Sequence, residues 1–340
     1  HGMIAVDGRD CLFVAVVLPG EDVKENVIRD TIVSAHSGNK EYVSSKFVEC
    51  TEDENGALQK IDFKNEDKFN FAFDIVDEIA KKSPEKLAML HIDKHKVERR
   101  FTFNDMKRAS NQCANYFKSL GIKKGDRVML VLKRHYQFWY AILALHKLGA
   151  IAIPATNLLQ EHDFDYRFNA AEVSAIVCTA DGDVAHQVDL AEPASPTLKT
   201  KILVGGAREG WHNFDEEFPL FSAHFYRTED TACGNDLMLM FFTSGTTGYP
   251  KIAAHNYKYA LGHYVTAKYW HGVDENGLHF TISETGWGKA LWGKLYGQWL
   301  CEGAVFTYDF DRFDAADILP MFAKYNIGSI SAASKRSKSY

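Results

Sequence analysis

The sequence predicts an α/β fold with layered, largely parallel sheets. Two patterns predict it. Runs such as RVMLVL at 127–132, SAIVCT at 174–179 and LMLMFF at 237–242 are apolar at almost every position, as strands buried on both faces are. Between them lie longer stretches whose apolar residues recur at helical spacing, so strand and helix alternate along the chain.

Taken in order, CLFVAVVL at 11–18 reads as a strand, a Pro-Gly turn follows, and 22–36 reads as a helix; SGNK at 37–40 reads as a linker. Phe71, Ile75, Val76 and Ile79 keep helical spacing, and Pro84 follows the end of that helix. FTFNDMKRASNQCANYFKSLG at 101–121 predicts a helix with Asn104 as N-cap and Gly121 as the C′ residue. A strand (127–132), a helix (137–149) ending at Gly149, a strand (150–155), a helix (163–173) and strands at 174–179 and 201–206 come next. Past two irregular connectors, the strand 237–242 leads into a loop, KIAAH at 251–255 resumes an extended segment, and Asn256 is positioned to cap a helix over 257–270.

Composition narrows the function. The chain has 340 residues, 39 Lys and Arg against 45 Asp and Glu, and a net charge of −6. That balance argues against a nucleic-acid surface. The six cysteines show no Cys-x-x-Cys pair, so they predict reduced thiols in a cytoplasmic protein and no metal site. CLFVAVVL is too short to cross a bilayer, and the apolar stretch 141–154 is interrupted by His146, Lys147 and Gly149, so no membrane span is expected.

The chemistry concentrates in TSGTTGYPK, Thr243 to Lys251. Gly245 and Gly248 permit positive φ, so consecutive backbone N–H groups can turn inward as an anion nest. Thr243, Ser244, Thr246 and Thr247 add hydroxyl donors, and Lys251 adds a mobile point charge suited to a phosphate that moves during reaction. A triphosphate fits this set. The loop is not a Walker A sequence, since no Gly precedes Lys251 and no Ser or Thr follows it. Gly205 and Gly206 lack the third Gly of a dinucleotide fingerprint.

This segment resembles the phosphate loop of the adenylate-forming (AMP-binding) superfamily. LHKLGAIAIPAT at 145–156 and ISETGWGKALWGKLYGQWLCEGAVFTYDFDRFD at 282–314 resemble further family segments, the latter most similar to the acyl-pocket region of short- and medium-chain or aryl acyl-CoA synthetases. The resemblance implies layered parallel-sheet subdomains of that family's large N-terminal domain, in incomplete form. It implies ATP-dependent activation of a carboxylic acid, a short- or medium-chain fatty acid or an aryl acid, followed by transfer to coenzyme A, with Mg2+ accompanying ATP. Thr243, Ser244, Gly245, Thr246, Thr247, Gly248 and Lys251 would hold the phosphates, Lys251 acting in catalysis. Trp287 and Gly288 would line the acyl pocket, whereas Trp292 and Trp299 read as core packing. His255 stands where the family often has His, and the 156–160 loop would face coenzyme A.

The resemblance also implies segments absent from these 340 residues: a Tyr-Gly-x-Thr-Glu stretch, a Ser/Thr-Gly-Asp stretch and a distal catalytic Lys. GSISAASKRSKSY at 328–340 shows no apolar period, which suggests a broken reading frame near Asn326. The expected organisation is an unassigned segment at 1–45, a first subdomain at 46–236, the start of a second with the phosphate loop at 237–326, and a divergent tail at 327–340. The enzyme reading is thus of a truncated, inactive form. Alternatives are a non-catalytic nucleotide-binding fragment and a peptide-synthetase adenylation domain.

Overall fold

The computed structural model describes residues 42–243 and 248–331. The predicted strand at 11–18 and helix at 22–36 lie outside them. The chain divides into two compact units, 1–40 with 52–57, and 41–51 with 58–340. Of the first, only the turn 52–57 is described, in which the Asp53 carboxylate accepts from the backbone N–H groups of Asn55 and Ala57. Apart from Glu52, the last residue of strand β1, all that follows concerns the second.

A two-stranded sheet of β1 (Val48–Glu52) and β2 (Leu58–Phe63) precedes a helical stretch over 72–82. The hairpin β3 (Leu87–Ile92) and β4 (Glu98–Thr102) leads into helix α1 (Phe103–Ser119). Thr102, not Asn104, is the N-cap. Its backbone arrives extended, its hydroxyl accepts from the Asp105 N–H, and the Asp105 carboxylate accepts from the Thr102 N–H. Gly121 follows with φ +85°, as a C′ residue requires.

Strand β5 (Arg127–Val131), helix α2 (Gln137–Leu148), β6 (Ile151–Pro154), α3 (Glu161–Ala170), β7 (Ala175–Thr179), α4 (Val184–Ala191), β8 (Thr200–Val204) and the short β9 (His212–Asn213) then alternate. β10 (Leu237–Thr243) and β11 (Lys251–Asn256) form an antiparallel hairpin, followed by α5 (Tyr259–Val265). Asn256 pairs with Leu237 at the end of that ladder, so its extended backbone serves the strand and the helix starts later. β12 (Leu278–Thr281), α6 (Gly288–Lys294), α7 (Tyr296–Leu300), β13 (Ala304–Tyr308), α8 (Ala315–Tyr325) and β14 (Ile327–Ser331) complete the unit.

The strands form a seven-stranded sheet in the order β11-β10-β6-β5-β7-β8-β9 and a five-stranded sheet in the order β14-β12-β13-β3-β4. Pairing is parallel except at β10–β11 and β3–β4. The fold is α/β with parallel sheets, as the apolar strands predict. The sheets do not divide at 236/237, however. β10 pairs in parallel with β6 through Leu239 and Ala152, so it continues the first sheet. The β3–β4 hairpin, early in the chain, joins the second. Ile327–Ser331 is a strand rather than part of a divergent tail. Its backbone pairs with β12, and Ser329 Oγ lies 2.8 Å from His279 Nδ1, so ladder bonds hold it where no apolar period announces it.

β5 shows how burial on both faces arises. Val128 and Leu130 enter the core shared with α1 and α2, while Met129 and Val131 enter the core under α3 and α4. Helix α2 is buried along nearly its whole length because both sheets use it: Val128 and Leu130 of the first and Met89 and Val305 of the second join the same core. Helix α8 covers the far face of the second sheet with Ile318 and Met321.

Candidate active site

The phosphate-loop segment connects two paired strands. Thr243 ends β10 directly opposite Lys251, the first residue of β11, at the carboxyl end of a strand that is parallel to its sheet neighbour. Open α/β sheets characteristically place ligand crevices there. Ser244, Gly245, Thr246 and Thr247 lie outside the described residues. Gly248 has φ +103° with open space where a Cβ would stand, and Thr243 and Lys251 are exposed. Thr243 Oγ1 donates to the Lys251 carbonyl at 3.3 Å. The Lys251 ammonium has no ion-pair partner among the described residues. One flank of the turn leans on α3: Tyr166 stacks on Tyr249 at 4.8 Å, and its hydroxyl donates to the Pro250 carbonyl at 2.8 Å.

The predicted acyl wall comes from the loop after β12. Thr285 Oγ1 donates to the Lys133 carbonyl at 2.6 Å, and Arg134 Nε donates to the Ile282 carbonyl at 3.2 Å. Both partners follow β5, so the first sheet fixes a loop of the second. Glu284 is buried and accepts from Thr156 Oγ1 at 3.1 Å and from the Asn157 N–H at 3.2 Å. Burial raises its carboxyl above the usual range, and these bonds oppose the rise. The 156–160 loop is thereby tied to the 284–288 segment. Gly286 makes the approach possible, since a Cβ there would lie 2.4 Å from the Ala155 carbonyl.

Trp287 is 59% exposed, at the surface rather than in the core. A Cβ on Gly288 would lie 3.9 Å from the Phe241 ring, and Phe241 sits two positions before Thr243 on β10. Trp299, by contrast, is fully buried, donates from Nε1 to the Ala88 carbonyl at 3.0 Å and packs on Phe71 and Phe103. Trp292 is half-buried between the His263 and His271 rings. The His255 ring lies between Phe241 and Tyr259, and burial lowers its pKa. Glu284 and Tyr166 build this region without having been anticipated. An acid immediately before Thr-Gly-Trp in an otherwise apolar stretch is a visible signal for the first; the Tyr on α3 carries none.

Polar side chains that follow strands of both sheets meet nearby. Lys133 Nζ pairs with Asp181 at 3.0 Å and Asp311 at 2.7 Å, and His135 Nδ1 with Asp309 at 2.6 Å. Lys133 carries φ +49°, a conformation that turns the chain after β5. Among the described residues no cluster of three or more His, Cys, Asp and Glu side chains is placed to hold a metal ion, and no helix is long and apolar enough to cross a membrane.

Comparison with known proteins bears on this arrangement. A family described as "AMP-binding enzyme" matches residues 76–334. Among curated proteins, the acyl-coenzyme A synthetase ACSM3, mitochondrial, of Pongo abelii is 32% identical over 271 residues, covering 76% of this chain and 45% of its own length. The mouse acyl-coenzyme A synthetase ACSM5, mitochondrial, is 33% identical over 270 residues, covering 77% and 46%. The chain thus spans about half the length of the curated relatives it matches. Among solved structures, the Brucella canis acyl-CoA synthetase superposes with a TM-score of 0.69 at 20% identity, over 78% of this chain and 48% of that one. The anthranilate CoA ligase AuaEII, in complex with anthranoyl-AMP, gives 0.67 at 21% identity, over 76% and 48%. These likenesses establish the shared fold. They also overturn the cytoplasmic expectation, because the curated relatives are named as mitochondrial proteins. The cysteine spacing behind that expectation does not separate the cytosol from other compartments.

Proposed function

This chain belongs to the AMP-binding enzyme family, and we propose that it serves the ATP-dependent activation of a carboxylic acid and its transfer to coenzyme A. The substrate carboxylate attacks the α-phosphorus of Mg-ATP and pyrophosphate leaves, giving an acyl-adenylate; the coenzyme A thiol then takes the acyl group and AMP leaves. In this reading Thr243, Ser244, Gly245, Thr246, Thr247 and Gly248 hold the β- and γ-phosphates with hydroxyls and backbone N–H groups. Lys251 supplies positive charge as pyrophosphate departs. Fixed donors aimed at developing phosphate charge are what such a transition state requires. Mg2+ enters with ATP.

Trp287 and Gly288 form the wall against the acid, a short- or medium-chain fatty acid or an aryl acid. The observation that carries the reading is that Gly288 faces Phe241, whose ring a Cβ on Gly288 would meet at 3.9 Å. The strand that ends in the phosphate segment also backs the acyl wall, so a carboxylate and a triphosphate can meet over one strand end. The relatives are acyl-CoA synthetases, which supports this reading over a peptide-synthetase adenylation domain.

Lys251→Ala tests the phosphate grip. Loss of a charge-assisted contact should weaken Mg-ATP binding by roughly ten- to a hundredfold, read by titration calorimetry. Unchanged affinity would remove Lys251 from the site.

A further inference from the structure

We infer that Tyr166 is a positioning residue for the phosphate-binding turn, setting where Lys251 begins; the inference rests on the function proposed for that turn. Pro250 has no N–H and a fixed φ, so its carbonyl is its only backbone hydrogen-bonding handle. Tyr166 takes that handle at 2.8 Å and lays its ring on Tyr249 at 4.8 Å with an interplanar angle of 27°. Next along the helix, the Arg167 guanidinium stands 5.3 Å over the Phe242 ring, on the other limb of the hairpin. Neighbouring side chains of α3 therefore grip both limbs.

The grip comes from a rigid support. Phe164 and Phe168 root α3 in the core, the Gln160 N–H donates to the Asp163 carboxylate at 3.1 Å, and Arg167 pairs with Asp163 at 3.1 Å. Gly248, two residues before Pro250, takes φ +103° with open space around it, so its own backbone imposes little on the approach to the strand. A hydroxyl fixed to the core and bonded one residue before Lys251 constrains that approach where the cation leaves the strand. Preorganisation of this kind appears as ligand affinity, because less ordering remains to be done on binding.

The test is Tyr166→Phe, which keeps the stacked ring and removes only the hydroxyl. Affinities for Mg-ATP and for inorganic tripolyphosphate are measured by calorimetry at a temperature where both proteins are fully folded. Both ligands should bind roughly three- to tenfold more weakly, by the same factor, because the defect lies in the phosphate contacts. Unchanged affinity for both, with only a lower melting temperature, would make Tyr166 a packing residue and overturn the inference. Lys251→Ala, measured alongside, separates the two ideas. If it weakens Mg-ATP binding and Tyr166→Phe does not, the positioning role fails alone. If the unsubstituted chain binds neither ligand, or Lys251→Ala changes nothing, the phosphate reading fails and takes this inference with it.

Discussion

Trp287 and Trp299 lie twelve positions apart in one aromatic, glycine-rich segment, yet one is 59% exposed and the other fully buried. Trp299 spends its N–H on the Ala88 carbonyl and its ring on Phe71 and Phe103, so it belongs to the core. Trp287 is left with its ring outward beside Gly288, free to meet a ligand. Trp287→Ala should shift the ratio of affinities for aryl and straight-chain acids by about tenfold while leaving Mg-ATP affinity unchanged. Competition binding with hexanoate and benzoate reads the ratio; an unchanged ratio would return Trp287 to the plain surface. The sequence distinguishes these tryptophans only through the family resemblance, since both sit among small residues and neither has a periodic neighbour that fixes its direction.

Gly286 shows what elements add. The loop after β12 reaches the loop after β6 because no side chain intervenes, and Glu284 then bonds Thr156 and Asn157. Gly286→Ala would force a methyl into the Ala155 backbone and should cost about 3 kcal/mol or more of unfolding free energy, read by chemical denaturation. A variant as stable as the parent would show that the contact is loose. Strands such as RVMLVL and LMLMFF and the helices beside them were legible because burial on two faces writes itself as unbroken apolarity. The sheet each strand joins was not. β10 follows a long connector yet pairs with β6, and β3 pairs with β13, more than two hundred residues later. Caps were legible in type but not in place: Thr102 rather than Asn104 takes the cap because Asp105 can close a box with it. Ile327–Ser331 escaped notice because ladder bonds, not an apolar repeat, hold it.

On the scale of the whole molecule, both sheets enclose a set of histidines that burial keeps neutral. It pushes His91, His263 and His271 from 6.5 down to about 4, and His146 to about 3. Unfolded, each would take its proton near 6.5; folded, each refuses it until the lower value. Between those limits the unfolded chain binds more protons, so stability is lost as pH falls from about 6.5 toward 4, by up to about 1.4 kcal/mol per pH unit for each group. His263→Phe keeps a ring against Trp292 and Tyr296 and removes one such proton. Its melting temperature should fall less steeply over that range than the parent's; equal slopes would mean His263 is not held neutral by the fold.

In the proposed function, the turn between Thr243 and Lys251 and the wall at Trp287 and Gly288 serve one reaction. A crystal structure with Mg-ATP and a carboxylic acid tests it most directly. The triphosphate should lie against the turn, with Lys251 on its terminal phosphates, and the acid between Trp287 and Phe241 with its carboxylate toward the α-phosphate. A nucleotide bound elsewhere, or an acid seated away from Gly288, would contradict it.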